Sequence, residues 1–68
     1  MTNTMNKWMN IELLADSEEE NNLRNFLVEN GFKFETSTDW SNTHFEIFIK
    51  HNADYELLDD FIYNDLEG

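Results

Sequence analysis

From Trp8 onward, apolar and polar residues alternate. Met9, Ile11 and Leu13 fall on one side of an extended chain, and Trp8, Asn10, Glu12 and Leu14 on the other. A period of two marks a strand with one buried face. The polar stretch before it, residues 1–6, is expected to fray. Asp16 and Ser17 then offer a helix start. Ser17 and Glu20 have the spacing of a capping box, and Glu18, Glu19 and Glu20 fall in the first turn, where the helix dipole favours anions. Leu23, Phe26 and Leu27 form one helical stripe, and Gly31 after Asn30 is a natural left-handed stop. Phe32 and Phe34 open a second strand, with Lys33 and Glu35 facing away. Asp39 to Asn42 reads as a turn. In the next segment Thr43, Phe45, Ile47 and Ile49 share a face against His44, Glu46, Phe48 and Lys50, the clearest strand of the chain.

A second helix is predicted from about Ala53 to Leu66, with Asn52 as its N-cap and Asp54 in its first turn. At about 100° per residue, Tyr55, Leu57, Leu58, Phe61, Ile62 and Leu66 lie within one half of the wheel. Glu56, Asp59, Asp60, Tyr63 and Glu67 lie on the other. That outer face carries four carboxylates and no cation, although like charges at i,i+4 cost a few tenths of a kcal/mol per pair.

The order strand, helix, strand, strand, helix predicts an α+β domain spanning residues 1–68. A right-handed crossover makes the first two strands parallel, and the tight turn makes the last two antiparallel. Strand order 1-3-2 follows, a mainly antiparallel three-stranded sheet with both helices on one face. Phe45 and Ile47 are expected at the centre of the core. The other face of the sheet is left uncovered, with Trp8, Leu14 and Phe48 among polar residues.

Composition sharpens the question of partners. Fifteen of 68 residues are Asp or Glu and four are Lys or Arg, a formal net charge of -11. Self-repulsion of this size opposes a compact state and serves solubility or a positively charged partner. Ten aromatic residues separate the chain from an acidic disordered tail. With no cysteine, disulfides and thiolate metal sites are excluded, which fits a reducing, cytoplasmic setting. No signal peptide and no membrane-length apolar run is visible. An anionic surface is repelled by anionic lipid and by nucleic acid itself. The expected partner is therefore a protein with a basic surface, and the expected state is a monomer or weak homodimer.

Candidate chemistry is thin. His44 and His51 lack partners for zinc, and Glu56 with Asp60 falls short of the roughly six oxygens calcium takes. No glycine-flanked nucleophile and no phosphate-cradling loop is present. A chain this small has little room for a desolvated pocket. No catalytic residue, metal or cofactor is assigned, and the expectation is a protein that is not an enzyme.

The acids form two stretches, Glu18, Glu19 and Glu20 at the first helix start and Glu56, Asp59, Asp60 and Glu67 along the second helix. Acids at i and i+4 are spaced on the scale of successive phosphates along a DNA strand. In size, charge and these two stretches the chain resembles the small acidic inhibitors that phages encode against host defence, the anti-CRISPR and DNA-mimic anti-restriction proteins. The resemblance involves no motif, so no family residue carries over. It implies a cytoplasmic protein that blocks DNA access of a Cas effector or another DNA-binding complex. A different reading makes the chain an acidic adaptor or immunity-type protein that grips a basic enzyme through the uncovered sheet face. Trp8 and Phe48 would then be the anchors, with Leu14 beside them and Trp40 in the turn, since Trp is enriched at interface hot spots.

Overall fold

The computed structural model describes residues 4–66. Strand β1 (Thr4–Leu14) is followed by helix α1 (Glu18–Glu29), strands β2 (Lys33–Asp39) and β3 (Asn42–His51), and helix α2 (Asn52–Phe61), which runs into a π-helical turn over Ile62–Leu66. The sheet order is β1-β3-β2, with β3 antiparallel to both neighbours. This is the α+β arrangement the alternation predicts.

Thr43, Phe45, Ile47 and Ile49 all point to the helices and are buried. Leu23 and Leu27 of α1 and Leu58 of α2 complete the core, and Met9, Ile11, Leu13, Phe34 and Phe61 pack around it. Phe26 of α1 stacks on Phe61 of α2 at 4.3 Å between ring centroids, which fixes one helix beside the other. The buried stripe of α2 is narrower than its apolar half. Leu58 is buried, but Leu57, one step of about 100° round the helix, is exposed, as is Tyr55.

Both ends of α1 follow from sequence. The Ser17 hydroxyl accepts a hydrogen bond from the Glu20 amide at 3.1 Å. Glu20 reaches back one residue further than a capping box requires, and Oε1 accepts from the Asp16 amide at 3.0 Å. At the other end Gly31 lies at φ +72°. The Phe32 amide donates to the Leu27 carbonyl and the Gly31 amide to the Val28 carbonyl, the paired bonds of a Schellman stop.

Three boundaries differ from the sequence reading, the smallest being β2, which begins at Lys33 rather than Phe32. Extended backbone persists through His51, so His51 occupies the cap position without a side-chain bond, and Asn52 is the first helical residue. Strand β1 also starts earlier than the alternation shows. Thr4–Asn6 belong to it because β3 runs on to His51 and offers Thr4 a partner, across a bulge before Lys7. Asn6 takes φ 49° there, which breaks the alternation that sequence reading depends on.

Candidate functional site

Three surfaces each gather more than one exposed acid. The first is the start of α1, where Glu18 and Glu19 are exposed and Glu20 is not. The Glu20 carboxylate is only 12% exposed and faces inward. It accepts a hydrogen bond from the hydroxyl of buried Thr43, the amide bond from Asp16, and an ion pair from Arg24 at 3.4 Å. These donors, the Thr43 hydroxyl foremost, hold its pKa below the ordinary value against the opposing effect of burial. Arg24 in turn lies over the Phe45 ring, 5.5 Å from the centroid. Glu20 is therefore bound into the fold, and Glu18 and Glu19 remain as the outward pair.

The second surface is α2, where Glu56, Asp59 and Asp60 are all exposed. Glu56 and Asp60 are one turn apart on the same face. Glu67 lies outside the described residues.

The third is the uncovered face of the sheet, and sequence reasoning did not assign it acids as a site. Register places Glu35 directly opposite Glu46, and Asn10 opposite Glu46 on the other side. Glu12 faces His44 one step along. These acids occupy outward positions of three different strands. Alternation places each on that face, but only the pairing register brings Glu35 and Glu46 together.

The same face holds the aromatic candidates. Trp8 and Phe48 are cross-strand partners with centroids 5.2 Å apart, tilted by 58°. Trp8 remains 46% exposed, and Leu14 further along the face is also exposed. Lys33 stands in register with Phe48, so one row reads Trp8, Phe48, Lys33. The next outward row reads Asn10, Glu46, Glu35. Trp40 does not join this group. It sits in the two-residue turn between β2 and β3, fully exposed, with its amide held by Asp39 at 2.9 Å.

Among the described residues the only ion pair is Arg24 with Glu20. The remaining described carboxylates have no described cation within salt-bridge distance. No helix among the described residues is long and apolar enough to cross a membrane, and no group of three or more metal-ligating side chains gathers among them.

Compared with protein-family models, with curated proteins and with solved structures, the chain has no match in any of the three.

Proposed function

We propose that this protein is a non-enzymatic inhibitor that presents carboxylates to a basic, nucleic-acid-binding groove of another protein complex. In the form the resemblance suggests, it acts as an anti-CRISPR-like, DNA-mimicking protein that denies a Cas effector its DNA. The observation that carries this reading is the pattern of compensation. Among the described residues the only acid with a cation is the one that holds the fold together, and Glu18, Glu19, Glu56, Asp59 and Asp60 are exposed with no ion pair among those residues. A partner's lysines and arginines would supply the missing counter-charge, which favours fast, salt-sensitive association.

The test uses the partner recovered from the host cell by affinity capture. DNA should compete with the protein for that partner. A variant with Glu56, Asp59 and Asp60 changed to Lys should lose binding and inhibition. If it binds and inhibits as well as the unmodified protein, the acids serve only to keep the surface solvated.

A second reading is favoured by the Trp8–Phe48 pair on the uncovered face. An acidic adaptor would use these rings as anchors and its charge mainly to speed encounter. Under that reading Trp8→Ala or Phe48→Ala abolishes binding and the charge-reversed helix keeps it.

A further inference from the structure

Sheet order β1-β3-β2 leaves two edge strands, and they are not equally protected. An exposed edge presents unpaired backbone N–H and C=O groups to any strand that fits, and proteins blunt such edges with bulges, prolines or charges. The outer edge of β1 is interrupted by the bulge near Asn6, and α1 packs against that strand. Strand β2 pairs with β3 in unbroken register over seven residues and contains no proline. All of its residues except Phe34 are exposed.

The backbone of β2 alternates in direction. Asp39 and Asn42 close a two-residue turn, which makes them a hydrogen-bonded pair. Counting back, Ser37, Glu35 and Lys33 also bond toward β3. Phe34, Thr36 and Thr38 turn their amides and carbonyls outward. The close approach of the Thr38 and Thr43 hydroxyls, 3.3 Å, agrees with this, because side chains sit nearest in the pairs that lack backbone bonds.

The side chains of β2 read Lys33, Phe34, Glu35, Thr36, Ser37, Thr38, Asp39. Thr36 is the midpoint. A two-fold axis through it sets Lys33 opposite Asp39 of a second copy, Phe34 opposite Thr38, and Glu35 opposite Ser37. The full strand overlaps, and both ends carry opposite charges face to face. Sliding the pairing by two residues either way opposes carboxylates instead, Glu35 to Glu35 or Glu35 to Asp39. Like charges opposite one another are destabilising and unlike charges favourable. Against these two neighbouring registers the charges therefore favour the one centred on Thr36, which also overlaps the strand over its full length.

We propose that β2 is a self-recognising edge, through which two copies of this chain join antiparallel about Thr36 into one six-stranded sheet. The occupant is a second copy because this register sets Lys33 of each strand against Asp39 of the other. The interface is one strand wide, which places it among weak, transient contacts, and the net charge of -11 on each copy opposes it. None of the acids of the proposed partner-binding surface takes part, so this inference stands or falls separately from that one.

The test is sedimentation equilibrium over a concentration series at physiological salt, with amide hydrogen exchange read in parallel. The unmodified protein should shift toward twice its mass as concentration rises, and the Phe34, Thr36 and Thr38 amides should gain protection together. Thr36→Pro removes an outward N–H without touching the ladder to β3, and it should abolish both effects while the monomer stays folded by circular dichroism. Lys33→Glu should weaken association about tenfold, and adding Asp39→Lys on the same chain should restore it. A protein that stays monomeric with these three amides unprotected at its highest soluble concentration overturns the proposal. So does association that survives Thr36→Pro, or a double variant no better than Lys33→Glu.

Discussion

The hydroxyl of Thr43, buried in the middle strand, donates to the carboxylate of Glu20 on the first turn of α1. The two residues are 23 positions apart, and their contact joins the helix cap to the centre of the sheet. The same carboxylate accepts the Asp16 amide and pairs with Arg24, which covers Phe45. One acid therefore orders the β1–α1 connection, the helix start and part of the core. Thr43→Val keeps the shape of the side chain and removes the donor. It should lower the melting temperature, and Thr43→Ser should retain more of the stability than Val does.

Acid should act through the same contact. The folded-state pKa of Glu20 lies below its ordinary value of 4.5. The stability this contributes is fully present above about pH 4.5 and is lost as pH falls through the depressed value. Denaturant midpoints measured between about pH 3 and pH 7 should show an acid limb that becomes shallower in Glu20→Gln. Identical acid limbs in the two proteins would remove Glu20 from the account.

Much of this architecture is legible in the residues themselves. Alternation at Met9, Ile11, Leu13 and again at Phe45, Ile47, Ile49 places two strands and their buried faces, and Gly31 marks the end of α1. The spacing from Ser17 marks Glu20 as the capping acid, but nothing local shows that its carboxylate faces the core. It takes the position of Thr43 to decide. The pairing of Glu35 with Glu46 is hidden for a related reason. Alternation says which face a residue occupies, and register says which neighbour it meets. Asn6 was out of reach as well, since a bulge breaks the period that reveals a strand.

Core substitutions should separate by size. Ile47→Val removes one methylene from a fully buried site and should cost about 0.5–1.5 kcal/mol. Phe45→Ala should cost about 3–5 kcal/mol. A domain of this length has a total stability of the order of 3–10 kcal/mol, so the second variant should lose about a third of it or more. Chemical denaturation reads both. A Phe45→Ala protein as stable as Ile47→Val would mean that this ring is not the centre of the core.

Gly31 isolates a backbone effect. A Cβ there meets nothing within 4 Å, so packing does not resist a substitution, but φ +72° does. Gly31→Ala should cost about 1–2 kcal/mol, the expense of a left-handed residue with a side chain. Gly31→Asn should cost less, because Asn tolerates that region. Equal thermal midpoints for all three proteins would show that the helix stop relaxes to another conformation.

Salt should stabilise this protein rather than weaken it. Glu56 and Asp60 repel along α2, and Glu35 and Glu46 repel across the sheet, while only one ion pair among the described residues stands to be screened. At 0.1 M salt the screening length is about 10 Å, so repulsion between these exposed charges is weakened and that between more distant ones is largely screened. Each kcal/mol of relieved repulsion should raise the melting temperature by about 4–8 °C in a domain this small. Glu46→Gln localises the effect. It removes one member of the cross-strand pair and should stabilise the protein at low salt, with a gain that shrinks as salt is added. If Glu46→Gln is neutral or destabilising at low salt, repulsion on the open sheet face is not what limits stability, and any salt response must come from the helices.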